Sequence, residues 1–128
     1  MIAVDTSALM AILLEEPRAE ACVAAMEGEE ALLISAVTVA EALIVAGRRG
    51  LGEEMARLID GLGFDIVSVT PAAARRVAQA YETWGKGRHP AGLNFGDCFA
   101  YAVAAENECR LLYVGDDFAR TDVRSALA

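Results

Sequence analysis

The sequence predicts an α/β protein, a three-layer α/β/α sandwich around a parallel sheet of about five strands. Short apolar runs alternate along the chain with helical patterns of ten or more residues, which is typical of a parallel sheet covered on both faces. Aromatic residues make up only 6% of the chain, which favours closely packed helices over an aromatic core. The length of 128 residues suits one domain, and we expect residues 1–128 to form it.

The first 28 residues predict a strand and two helices. The apolar run 2–5 predicts a strand, and residues 8–14, with the composition of a buried helix, follow it directly. Pro17 suits the first turn of a second helix, because its missing N–H has no partner there. We expect that helix to run to about Met26, where Gly28 ends it.

The next segment predicts a second buried strand and two further helices. Residues 32–35 are apolar enough for a buried strand. The helix after it begins at Ser35 or Thr38 and ends near Gly47. Residues 51–62 form a further amphipathic helix that a glycine closes.

Residues 64–69 alternate between polar and apolar side chains, which predicts a strand near the sheet edge. Thr70 and Pro71 supply an N-cap and a first-turn proline for a helix that runs to about Trp84. Residues 85–92 contain three glycines and a proline, the composition of a mobile loop.

The C-terminal part predicts one more helix and strand. Asn94 begins a long helix that ends at about Asn107, and residues 111–114 predict a strand that stops at Gly115. A short last strand near Val123 completes the expected set.

The charge argues against a general nucleic-acid binder. The chain carries 11 Lys and Arg against 19 Asp and Glu, for a formal net charge of −8. An acidic protein repels phosphates, so binding of nucleic acid requires a local basic patch and a bound cation.

The N-terminus and the cysteines indicate a cytoplasmic protein. No basic region precedes the first apolar run, and Asp5 interrupts it, which argues against a signal peptide. No stretch is long and apolar enough to span a membrane. Cys22, Cys98 and Cys109 lack metal-binding or redox spacing, so we expect small buried side chains in a reducing compartment.

Four acidic residues are expected at one edge of the sheet. Asp5 and Asp116 come directly after strands, and Asp97 lies in the first turn of a helix. Glu41 lies on or beside the apolar stripe of the helix that follows the second strand. Since ligands bind beyond the carboxyl ends of parallel strands, these four carboxylates are candidates for one site.

Each acid also has a structural interpretation. Asp5 fits a helix cap, and Asp97 forms a capping-box pattern with Asn94. Glu41 fits an ion pair with Arg48 or a distant Arg, since a charge on a core-facing stripe needs a partner. Asp116 and the adjacent Asp117 fit turn residues after a glycine.

The four acids together favour a metal site. Two carboxylates ~5 Å apart repel by roughly 3 kcal/mol at an effective dielectric near 20, so a cluster requires a cation or protons. Oxygen ligands favour Mg²⁺ or Mn²⁺. A divalent ion held by carboxylates activates water and neutralises charge in phosphodiester hydrolysis.

Four segments resemble the signatures of PIN-domain ribonucleases, and the resemblance is strongest to the VapC toxins of bacterial toxin–antitoxin pairs. The segments are 4–8 (Val-Asp-Thr-Ser-Ala), 35–41 (Ser-Ala-Val-Thr-Val-Ala-Glu), 93–102 (Leu-Asn-Phe-Gly-Asp-Cys-Phe-Ala-Tyr-Ala) and 111–118 (Leu-Leu-Tyr-Val-Gly-Asp-Asp-Phe). The resemblance implies a Mg²⁺-dependent endoribonuclease with a parallel sheet of about five strands. It also implies a homodimer that a VapB-type antitoxin neutralises.

By the same resemblance, Asp5, Glu41 and Asp97 match the three most regular acidic positions of the family, with Asp5 and Asp97 as direct metal ligands. Glu41 binds a second ion or orients the attacking water. Asp116 matches the fourth acid, with Asp117 as the alternative one residue later.

Substrate contacts are expected from two places. Thr6 or Ser7 would supply a hydroxyl near the metal or the scissile phosphate. Lys86, Arg88 and His89 in the glycine-rich loop could reach RNA phosphate, or the loop could be a solvated surface segment. His89 is the only histidine, so a two-histidine mechanism without metal is excluded.

Three alternatives to a ribonuclease remain open. A haloacid-dehalogenase-type phosphatase needs a second aspartate where this chain has Ser7. A response-regulator receiver needs an acidic pair at the first strand and a lysine near the last, and Lys86 is the only lysine. A non-catalytic PIN-like module that binds RNA or protein would usually have lost one or more of the four acids.

Overall fold

The computed structural model describes residues 1–127, in which strands and helices alternate along the chain. The strands are β1 (Ile2–Val4), β2 (Leu32–Ser35), β3 (Asp65–Val67) and β4 (Arg110–Leu112). The helices are α1 (Thr6–Leu13), α2 (Ala19–Glu27), α3 (Ala36–Gly47), α4 (Gly52–Leu62), α5 (Pro71–Trp84) and α6 (Phe95–Glu106). None of these helices combines the length and apolar character that crossing a bilayer requires.

The sheet is parallel throughout, with the strand order β3-β2-β1-β4. Ala3 of the central strand pairs with Leu33 on one side and Leu111 on the other. This arrangement places the carboxyl ends of β1, β2 and β4 next to one another. The site residues that follow these strands are thereby brought to one edge of the sheet.

The core lies on both faces of the sheet, which confirms the predicted α/β/α sandwich. Alternate residues of each strand point to opposite faces. The first face packs Ile2, Val4, Leu32 and Ile34 against Leu9, Cys22, Met26, Met55 and Ile59. The second face packs Ala3, Leu33 and Leu111 against Val77, Ala80, Cys98, Phe99 and Val103.

The sheet has four strands in residues 1–127, so the expectation of about five was wrong by one. Near Val123 the structure has a single bridge between Leu111 and Ser125 in place of a strand. Leu111 donates its N–H to the carbonyl of Arg124, and Ala126 donates back to Leu111, both at 2.9 Å. The turns on either side of this bridge leave it no length to extend.

Several element boundaries differ from the sequence prediction, and three of them have a local reason. α1 begins at Thr6 because the Asp5 side chain caps it. α2 begins at Ala19, after a turn in which Ala19 donates to Glu16. β4 ends at Leu112, and the N–H of Val114 is donated to the Ser7 hydroxyl.

The glycine-rich loop is closed at its base. Lys86 donates its N–H to Leu93, and Leu93 donates to Trp84, at 2.9 and 3.0 Å. The Trp84 ring nitrogen donates to the Tyr101 hydroxyl, which donates to Asp122. The loop therefore leads from a fixed end of α5 directly into the start of α6.

Candidate active site

Asp5 follows β1 and is the best-anchored acid of the site. One of its oxygens, Oδ2, accepts the N–H of Ser7 at 3.0 Å and the Ser7 hydroxyl at 2.7 Å. The Ser7 oxygen also accepts the N–H of Val114 at 3.0 Å. Ser7 thereby joins the carboxyl ends of β1 and β4. Burial raises the pKa of Asp5, the Ser7 hydrogen bonds oppose that shift, and the charge of Glu41 adds to it.

Glu41 reaches the same place from α3. Its Oε1 accepts a hydrogen bond from the Thr6 hydroxyl at 2.5 Å. Its carboxylate also lies against the start of α6, because a Cβ at Gly96 would overlap Oε2 and lie 3.0 Å from Cδ. No ion pair of Glu41 with an arginine occurs in residues 1–127. The side-chain partner of this carboxylate is therefore the Thr6 hydroxyl and not Arg48.

Asp97 is both a helix cap and a member of the acidic cluster. It forms a capping box with Asn94, in which each side chain accepts the backbone N–H of the other, at 3.0 and 2.8 Å. Burial raises the pKa of Asp97 to about 7, and the charges of Asp5, Asp117 and Glu41 add to the shift. A carboxyl with this pKa binds a proton or a cation readily at neutral pH.

The structure distinguishes the two candidates for the fourth acid. Asp117 is close enough for its charge to raise the pKa of Asp97. Asp116 instead lines a cleft with Arg18, Tyr113 and Ser125. Of the two candidates, Asp117, the alternative one residue later, is therefore the one whose charge acts on Asp97.

Asp97 lies within electrostatic range of three other carboxylates, those of Asp5, Glu41 and Asp117. In residues 1–127, however, no three His, Cys, Asp or Glu side chains lie close enough to hold one metal ion in their present conformations. Among the side-chain hydrogen bonds of residues 1–127, none has Glu41 Oε2 or Asp97 Oδ1 as its acceptor. Since Mg²⁺ commonly binds through one or two carboxylates and keeps several waters, this donor set fits the ion.

The two hydroxyls expected near the substrate are engaged with the acids. Thr6 donates to Glu41, and Ser7 donates to Asp5. Both hydroxyl protons therefore hold carboxylates in place.

The loop residues have mixed roles. Arg88 pairs with Glu82 at 3.5 Å on the surface. The His89 ring packs edge-on against Trp84, and its Nδ1 accepts the N–H of Ala91. Lys86 is exposed and makes no ion pair within residues 1–127, which leaves it available for a phosphate.

Sequence reasoning missed Gly96. The segment 94–97 was interpreted through its capping residues, Asn94 and Asp97, and the glycine between them received no role. Gly96 leaves room for the carboxylate of Glu41, a residue that lies 55 positions earlier in the chain. The one signal in the sequence is a glycine in the first turn of a helix, where it weakens helix formation.

The fold and the acidic cluster together define a PIN domain. The family model for the PIN domain matches residues 2–124, and the chain belongs to this family. Among its relatives, Ribonuclease VapC30 of Mycobacterium tuberculosis is 42% identical over 123 residues, which cover 94% of each chain.

Solved structures show the same fold at lower identity. VapC20 of Mycobacterium tuberculosis, described as a sarcin-ricin loop cleaving toxin, has a TM-score of 0.75 at 20% identity, over 96% of both chains. VapBC2 of Rickettsia felis, solved with a DNA fragment from its promoter, has a TM-score of 0.73 at 16% identity, over 98% of this chain and 97% of the other.

Proposed function

We propose that this protein is a Mg²⁺-dependent endoribonuclease that hydrolyses RNA phosphodiester bonds with metal-activated water and acts as the toxin of a toxin–antitoxin pair. The observation that carries the proposal is Asp97, a buried carboxylate facing the charges of Asp5, Glu41 and Asp117. Such a cluster is offset by a divalent cation, with Mn²⁺ as the expected substitute for Mg²⁺. The 42% identical relative named a ribonuclease supports the same activity.

The residues divide into ligands and residues that position them. Asp5 and Asp97 would bind the ion, with Glu41 and Asp117 beside them. When bound, the ion would offset the carboxylate charges, neutralise the phosphate and lower the pKa of water. Ser7 and Asn94 hold the two ligands in orientation through the hydrogen bonds described above.

Glu41 is the best-placed proton acceptor for the attacking water. Thr6 holds its Oε1, and its Oε2 has no donor from residues 1–127. The space beside Gly96 keeps that carboxylate at the start of α6. Asp116 stays in the proposal as the neighbour of Asp117, on the cleft side of the same turn.

The partners follow from the relatives and the surface. Toxin–antitoxin complexes are among the proteins of the same fold, including one from Klebsiella pneumoniae. We assign this chain a VapB-type antitoxin, a homodimeric state and a place in the cytoplasm. Lys86 and Arg88 are assigned to the phosphates of a single-stranded RNA substrate.

Membership in the PIN family removes the grounds for the phosphatase and receiver alternatives. The remaining alternative is a non-catalytic PIN-like module that binds RNA or protein. Retention of Asp5, Glu41, Asp97 and both Asp116 and Asp117 favours the enzyme.

The test is cleavage of a mixed pool of single-stranded RNAs by the purified protein, with Mg²⁺, with Mn²⁺ and with EDTA. We expect cleavage that EDTA abolishes and that Asp97→Asn reduces by about 100-fold or more, a loss comparable to that of one group that stabilises the transition state electrostatically. Asp60→Asn, an exposed aspartate in α4, is the matched control and should cleave normally.

Two results would contradict the proposal. A folded Asp97→Asn protein with full activity would remove Asp97 from the site. A wild-type protein that neither cleaves any RNA nor binds Mg²⁺ or Mn²⁺ by calorimetry would favour the binding module.

A further inference from the structure

Phe95 is the most exposed large apolar side chain in residues 1–127, at 69% of its surface. It is the first residue of α6, between Asn94, which caps the helix with Asp97, and Gly96, which admits Glu41. A side chain of this size usually gains about 1.5–3 kcal/mol on full burial. A ligand that covered this ring next to the capping residues of the acidic cluster would gain part of that free energy.

The ring of Phe95 is held in orientation although it is exposed. Phe99, one turn later and 7% exposed, packs edge-to-face against it with the ring centroids 5.0 Å apart and an interplanar angle of 72°. The contact with a buried ring favours one orientation of Phe95, while most of the Phe95 surface stays open to solvent. A flat base can stack on a ring that is exposed and oriented in this way.

We propose that Phe95 stacks on a base of single-stranded RNA and positions the phosphodiester next to that base at the acidic cluster. This inference rests on the proposed ribonuclease function. Aromatic side chains stack with any base, and each such contact adds affinity that does not depend on phosphate charge. That property matters here, because a chain with a net charge of −8 gains little from general attraction of phosphate.

The position on the chain supports this occupant. Phe95 is two residues from Asp97 and follows the loop that carries Lys86. The ring of Phe95 therefore begins the same helical turn that carries Asp97 to the acidic cluster. Ile44 is a second exposed apolar residue, at 56%, on the helix of Glu41, and it offers no ring for stacking.

The test compares Phe95→Ala, Phe95→Leu and Phe95→Trp. Binding of a fluorescein-labelled single-stranded RNA is measured by anisotropy with Mg²⁺ in a Glu41→Gln background, which keeps the cation and removes the proposed proton acceptor. Cleavage is measured separately with Mg²⁺ in the chain that retains Glu41. We expect Phe95→Ala and Phe95→Leu to weaken binding by about 10-fold to 100-fold, the range for losing one stacked base. Phe95→Trp should restore binding, and KM should rise in the Ala and Leu variants.

Controls separate stacking from other roles. Ile44→Ala removes an exposed apolar side chain and should leave RNA binding unchanged. An RNA with an abasic site at the stacked position should bind the wild type as weakly as the intact RNA binds Phe95→Ala. Circular dichroism checks that each variant is folded.

Wild-type affinity in Phe95→Leu would overturn the stacking role. Conversion of a dimer to a monomer by Phe95→Ala, with RNA affinity unchanged, would overturn it in favour of a second copy of the chain as occupant. The two proposals can also separate. If the wild type cleaves no RNA with any metal, but Phe95→Ala still weakens RNA binding, the result would support stacking and contradict the nuclease.

Discussion

The carboxylate of Glu41 occupies the space that a side chain at position 96 would fill. Gly96 lies in the first turn of α6 and Glu41 in α3, and a Cβ on the glycine would overlap Oε2. The missing side chain of one residue thereby sets the position of an acid 55 residues away.

Gly96→Ala should therefore impair activity while leaving the fold intact. The overlap is with the end of a flexible side chain, so Glu41 can move aside at low cost. Alanine also favours helix over glycine by about 1 kcal/mol. We expect at least a tenfold loss in kcat for RNA cleavage, with unchanged or higher stability to urea.

Gly61→Ala is the matched control for this change. Gly61 lies in α4 with nothing within 4 Å of a Cβ placed there. It should raise stability and leave cleavage unchanged. Full activity of Gly96→Ala would show that the position of Glu41 is not critical.

Ser7→Ala should destabilise the protein by about 1 kcal/mol or more, since it leaves the N–H of Val114 without its partner and removes one of two Ser7 hydrogen bonds to the buried Asp5. Ser7 donates to Asp5 and accepts from Val114, so its loss opens both contacts. Urea unfolding measures the effect. Ser125→Ala removes one local hydrogen bond from Leu127, and it should lower the free energy of unfolding by less than half as much. Equal losses of stability in the two variants would contradict the bridging role of Ser7.

The stability of the metal-free protein should fall as pH rises from about 4 to about 7. Burial raises the pKa of Asp97 to about 7 in the folded chain, against its ordinary value of 3.8. The folded state therefore binds the proton more tightly than the unfolded state does. The stability that this proton contributes is fully present below pH 3.8 and is lost as pH rises through about 7. Thermal unfolding in EDTA across this range measures the fall.

Asp97→Asn should reduce this pH dependence without abolishing it, because the pKa of Asp5 is also raised. Asn keeps an oxygen that can accept the N–H of Asn94 in the capping box. Asp60→Asn should retain the full dependence. A pH profile of Asp97→Asn that matches the wild type would assign the proton to another group.

Thr38→Val should leave stability unchanged or raise it by about 1 kcal/mol. Thr38 is fully buried in α3, and its hydroxyl has no hydrogen-bond partner within residues 1–127. Replacing an unpartnered buried hydroxyl by a methyl group removes a desolvation cost at equal shape.

Thr70→Val provides the opposite case. The Thr70 hydroxyl accepts the N–H of Ala73 as the cap of α5, and losing such a cap costs about 1 kcal/mol. Destabilisation by both changes would indicate that Thr38 has a partner in solution.

The local elements were predictable because their signals are local. Pro71 after a threonine marks the start of α5, and Asn94 with Asp97 marks the start of α6. The prediction of a strand near Val123 was wrong. The single bridge found there pairs Ser125 with Leu111, a distant segment of the same chain, and no local pattern encodes such a pairing.

By itself, the sequence determined the α/β/α layering and the identity of the acids, since periodicity and the strand-then-acid order are properties of neighbouring residues. Only the tertiary structure decided that Asp117 lies within electrostatic range of Asp97, that Thr6 holds Glu41, that Ser7 contacts Val114, and that Gly96 makes room for Glu41. These are contacts between residues far apart in the chain. Their geometry depends on how helices pack over the sheet, and that packing is a property of the whole fold.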